Sequence, residues 1–86
     1  MRLDKFLKVS RIVKRRTLAK EVCDMGRVAV NGRTAKASQE LAVGDEISIR
    51  FGQKTLTVQV EALTENARKE EAKELYRVVE EQFPAE

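Results

Sequence analysis

The chain has 86 residues, one cysteine, no histidine and a formal net charge of +3. A chain of this length supports a single core, because it buries only about 60–65% of its unfolded surface. The lone Cys23 excludes a disulfide scaffold, and the lack of histidine removes the commonest general base and metal ligand.

The first helix is expected from Leu3, Phe6 and Leu7, spaced i, i+3, i+4, with residues 10–13 continuing it or forming a loop. Asp4 falls in its first turn, where a negative charge favours the positive end of the helix dipole. A second helix follows, in which Leu18, Val22 and Met25 share an apolar face with Ala19 beside it. Gly26 is placed as its left-handed stop. Past Gly26 the apolar period changes to two. Val28 and Val30 face one way, and Asn31-Gly32 is a strong hairpin signal because both residues tolerate the positive φ of a type I′ turn. A short return strand spans about residues 33–35. Val43-Gly44-Asp45-Glu46 reads as a turn into a strand with Ile47, Ile49 and Phe51 on one face. Gly52-Gln53 turns again into a strand with Leu56, Val58 and Val60 inward. From Asn66 the composition becomes rich in Glu, Lys and Ala. There Ala72, Leu75, Tyr76 and Val79 keep helical spacing, so a C-terminal helix is expected.

Charge is unevenly spread along these elements. Residues 1–36 carry eleven Lys/Arg against three acids, a net of +8, and residues 37–86 carry six against eleven, a net of −5. A basic half on a small domain is the electrostatic footprint of a polyanion ligand. Arg2, Lys5, Arg11, Lys14, Arg15, Arg16 and Lys20 form this candidate RNA-binding set. The plain alternative, a solvated helix face, normally alternates charge for i, i+4 support, and acids are almost missing here before Glu21. The amides that open the second helix add an anion site under Arg15-Arg16. Lys36 and Ser38 extend the phosphate surface from the sheet side or are ordinary loop residues. Asp4 is the odd acid of the patch: a dipole partner, an orienter of Arg2 or Arg16, or both. Cys23 is read as a small packing residue, and the acidic tail as a solvated face that could instead meet a basic protein. Four aromatic residues are too few for a sheet that binds RNA by stacking bases.

Taken together, Arg2-Leu3-Asp4, the helix through Arg16 and Lys20, Gly26-Arg27-Val28-Ala29-Val30-Asn31-Gly32, Lys36-Ala37-Ser38 and Val43-Gly44-Asp45 resemble the RNA-binding domain of small-subunit ribosomal protein four, the αL motif. In pseudouridine synthases and tyrosyl-tRNA synthetases that domain sits beside a catalytic region, so this chain looks like a free-standing version. The full pattern, including Arg50-Phe51-Gly52-Gln53-Lys54 and Glu71-Ala72-Lys73-Glu74-Leu75-Tyr76, is similar to the heat-shock-protein-15-like family and its branch in bacterial ribosome-associated quality control. That resemblance implies binding to large ribosomal subunits obstructed by a stalled peptidyl-tRNA, with contacts to rRNA and tRNA. It also implies cooperation with a NEMF-type tailing factor that adds alanines to the stalled chain. By position it carries over Arg2, Asp4 and Arg16 as the RNA-facing set, with Lys36 and Ser38 more loosely. One departure stands out: the motif usually has Ser or Thr before the helix-two arginine, and this chain has Arg15. The missing N-cap gives up about 1 kcal/mol.

The expectation is therefore an α+β domain: two packed N-terminal helices on a small twisted, mainly antiparallel sheet, plus a C-terminal helix. Residues 1–65 would form the RNA-binding domain and residues 66–86 its acidic helical extension. The expected function is non-enzymatic RNA binding by a monomer, cytoplasmic and ribosome-associated, without cofactor or metal. The alternatives are a general rRNA/tRNA accessory factor and, remotely, a peripheral membrane protein using the basic helices. The membrane reading is weakened because Lys5, Lys8 and Arg11 narrow the apolar face and no Trp anchors it.

Overall fold

The computed structural model describes residues 1–83. Two helices, α1 (Leu3–Val9) and α2 (Arg16–Asp24), precede the strands β1 (Val28–Val30), β2 (Arg33–Thr34), β3 (Glu46–Phe51) and β4 (Lys54–Val60). A single 3₁₀ turn, Ala72–Leu75, then leads into β5 (Tyr76–Gln82). The strands form one antiparallel sheet in the order β2-β1-β3-β4-β5. Alternation decides its faces. Val28, Val30, Ile47, Ile49, Val58 and Val60 turn inward, and Leu3, Phe6 and Leu7 of α1 close the core over them.

The β1–β2 hairpin turns through Asn31 (φ 51°) and Gly32 (φ 82°), the pair of positive φ values that the sequence anticipates. Asn31 also ties the hairpin to the start of β3. Its N–H donates to the Glu46 carbonyl at 2.7 Å, and its Oδ1 accepts from the Glu46 N–H at 3.0 Å. Its side chain is thus engaged in holding the turn.

Two expectations are corrected. The C-terminal helix is absent among the described residues: residues 72–75 make one 3₁₀ turn, and residues 76–82 pair with β4 as an edge strand. Helical spacing of four apolar positions is a weak signal. It loses here to the β-branched Val78-Val79 and to the backbone hydrogen bonds offered by the open edge of β4. A register shift between Thr57 and Val58 accommodates the extra residue. Ala72 and Leu75 are buried all the same, as their apolar character requires.

The second correction rotates α2. Its buried positions are Ala19 and Cys23, spaced i, i+4, with Val22 half-buried, whereas Leu18 is 46% exposed and Met25 59%. Small side chains on the inner face let α2 lie close against α1, and Leu18 is left on the rim. Cys23 is a packing residue, as the sequence suggests. Burial, reinforced by Asp4 and Asp24, pushes its thiol up to about 11 from 9.0. Because the folded state favours the neutral thiol, its contribution to stability is complete below about pH 9 and is lost as pH rises toward 11. We expect iodoacetamide at pH 8 to label Cys23 far more slowly in the native protein than in urea; equal rates would contradict the packing role.

Candidate nucleic-acid interface

The N-terminus of α1 is built by two different parts of the chain. Leu3 N–H donates to the Gln39 carbonyl at 2.8 Å, and Asp4 N–H to the Ala37 carbonyl at 3.1 Å. Lys5 N–H donates to the Asp4 carboxylate at 2.8 Å. The segment after β2 thereby satisfies amides that a helix start leaves orphaned, and it brings residues 36–38 beside α1.

Asp4 is 3% exposed and sits between two arginines. Arg2 donates from Nε to Oδ1 at 3.2 Å and from Nη2 to Oδ2 at 3.3 Å. Arg16, at the start of α2, donates from Nη2 to Oδ1 at 3.4 Å, and its Nε lies 3.4 Å from Oδ2. One buried carboxylate thus braces both guanidiniums, whose side chains remain 45% and 49% exposed. Each arginine turns Nε and Nη2 to Asp4, and among the described residues Nη1 has no partner, so the pair presents oriented donors to solvent. The two readings of Asp4 therefore coexist. The carboxylate accepts a first-turn amide and also orients both arginines.

The remaining expected residues fall into separate groups. Arg2, Lys20, Lys36 and Ser38 line an open groove of about 660 Å³ between α2 and the segment after β2. Arg11 and Lys14 line a second cleft, of about 500 Å³, between the α1–α2 loop and residues 65–67. Lys8 joins them there. Sequence alone does not set it apart from the rest of the basic run, because its placement beside Arg11 depends on the turn after α1. Arg11 itself adopts φ 63°, left-handed backbone for a non-glycine residue, which costs on the order of 1 kcal/mol and directs the chain around this cleft. Lys5 does not line the first groove; its Nζ lies 3.5 Å from Glu65, a residue of the second cleft. Arg15 is exposed and occupies the N-cap of α2 without any capping side-chain hydrogen bond, so the cap is missing as the sequence indicates.

No group of His, Cys, Asp and Glu that could hold a metal occurs among the described residues, and none of their helices is long and apolar enough to cross a membrane.

Comparison with known proteins agrees with this architecture. Residues 1–47 match the S4 domain. The chain is 58% identical to the RQC P-site tRNA stabilizing factor of Bacillus subtilis, covering 95% of each protein. It is 61% identical to the factor of the same name from Halalkalibacterium halodurans, over 95% of this chain and 93% of that one. The solved trimeric structure of Vibrio cholerae heat shock protein 15 superposes with a TM-score of 0.86 at 36% identity, over 92% of this chain and 81% of that one. None of these names is that of an enzyme.

Proposed function

The chain belongs to the S4 domain family, in its branch of RQC P-site tRNA stabilizing factors, and from that premise we propose that it binds tRNA and rRNA on large ribosomal subunits obstructed by a stalled chain. It acts there as a non-enzymatic clamp that supports alanine tailing by a NEMF-type factor on the same particle. Its place is accordingly cytoplasmic, at the ribosome.

The observation that carries the reading is the Arg2–Asp4–Arg16 constellation beside the groove of Lys20 and Lys36. Phosphate oxygens need donors that are close, cationic and already oriented. The braced arginines supply orientation, and the two lysines, neither in an ion pair among the described residues, outweigh the charge of Asp24 in the same groove. Lys8 in the last turn of α1, and Arg11 and Lys14 just after it, extend the basic surface along the ligand.

The test is equilibrium binding to stalled large subunits, with and without peptidyl-tRNA, across a salt series. With about five to seven phosphate contacts, the log–log slope is expected between about −4 and −6, at roughly 0.7–0.9 per contact. A slope shallower than about −2 contradicts a phosphate-binding basic surface. Equal affinity for empty and stalled subunits favours a general accessory factor instead. In a reconstituted tailing reaction, Arg16→Ala is expected to shorten the alanine tail.

A further inference from the structure

The outer face of the sheet, opposite the helices, carries a second pair of arginines that the helical site does not use. The Arg50 N–H donates to the Arg27 carbonyl at 2.9 Å, continuing the β1–β3 register of Val28 with Ile49 by one residue. Arg27 and Arg50 therefore stand directly across from each other on neighbouring strands. Like charges in that position repel. Neither arginine takes part in an ion pair among the described residues.

The surroundings do nothing to relieve the repulsion. The row that crosses the sheet from Arg50 passes through Thr55 to Gln82 and contains no carboxylate. The adjacent row runs Ala29, Ser48, Thr57, Glu80, so its acid lies at the far side of the sheet. Between the two arginines lies a shallow depression of about 200 Å³, floored by Ala29, Ser48 and Thr55. The Ser48 and Thr57 hydroxyls are 3.0 Å apart and give the floor a polar character. Short side chains keep the trough open, while Gly26 at its rim has no side chain and open space around it.

We propose that Arg27 and Arg50 form a second phosphodiester-binding site on the outer sheet face, which holds an RNA segment distinct from the one gripped by the helices. An anion between the two guanidiniums turns a repulsive pair into a pair of charge-assisted contacts. The geometry suits a backbone and not a base, because the floor has no aromatic side chain to stack on. The domain then lies between two RNA segments and ties them together. This inference rests on RNA being the ligand of the helical face.

The test uses the full chain and labelled oligoribonucleotides. Arg27→Gln combined with Arg50→Gln is expected to make the salt slope less negative by about 1.5, from roughly 0.7–0.9 per lost phosphate contact. Wild-type protein saturated with an immobilised RNA is expected to capture a second, labelled RNA, and the double variant to lose that capture at least tenfold. Arg27→Lys with Arg50→Lys is expected to restore most of it. Melting temperature serves as the control for folding and is expected not to fall, because an opposed like-charge pair has been removed. An unchanged slope in the Gln variant, or second-strand capture that survives in it, overturns the proposal. A saturable response of the Arg50 amide to inorganic phosphate without any RNA capture also overturns it, since the site is then for a free anion. Arg16→Ala separates the two claims. If it flattens the slope and the sheet variant does not, only the outer site fails; if neither does, the helical reading fails as well.

Discussion

Asp4→Asn is expected to weaken RNA binding about tenfold, although it removes a negative charge from a basic surface. The neutral amide cannot hold two guanidiniums, and Arg2 and Arg16, each about half exposed, then explore many rotamers. Re-ordering a long side chain on binding costs about 0.5–1.5 kcal/mol each, which for two arginines corresponds to roughly five- to a hundred-and-fifty-fold. Removing the arginines themselves is more severe. Arg2→Ala with Arg16→Ala deletes two charge-assisted contacts of about 1.5–3 kcal/mol apiece, so a loss on the order of a hundredfold or more is expected. The double variant also strands a carboxylate that is 3% exposed, so a thermal melt must accompany the binding isotherm. Arg2→Lys with Arg16→Lys keeps the charge and loses the fork geometry, and an intermediate affinity is expected. Tighter binding by Asp4→Asn would show that the carboxylate serves the helix dipole alone.

Phe6→Ala is expected to destabilise the fold by about 3–5 kcal/mol, a large part of what a domain of this size possesses. Phe6 is fully buried and is the largest side chain in the core between α1 and the sheet. Its removal leaves a cavity that Leu3 and Leu7, held on the same short helix, cannot fill. Leu18→Ala is the informative contrast. From the apolar spacing of α2 it would cost as much as a core leucine, about 2–5 kcal/mol. From its 46% exposure it should cost under about 1 kcal/mol. Urea melts of the two variants side by side check both values. A Leu18→Ala midpoint as low as that of Phe6→Ala would mean that α2 presents the other face to the core.

The basic pole, the α1 spacing, the Asn31-Gly32 hairpin and the inward faces of β3 and β4 were all legible in the chain, because each depends on local backbone chemistry or on a strict period of two. The strands alternate Ile47, Ile49 and Val58, Val60 against polar neighbours, and a one-residue slip would bury those polar residues. The asymmetry of charge needs no fold at all. It is a count along the sequence, and it suffices to point to a polyanion.

Tertiary structure decided the rest. Which side of α2 is buried depends on how closely α1 approaches, and the close approach selects Ala19 and Cys23 over the more hydrophobic Leu18. Residues 76–82 become a strand because β4 has an open edge to offer, a fact absent from their own helical spacing. Lys5 meets Glu65, at the second cleft, because the chain after β4 passes beside α1. Asp4 could be named as an orienter from sequence, but the bracing of both arginines by one carboxylate required residues 2, 4 and 16 to meet. Arg27 and Arg50, far apart in the chain, became a pair only when β1 and β3 joined. Local propensity acts over a few residues, whereas these placements arise from contacts between segments that are remote in sequence, and only the folded chain brings those together.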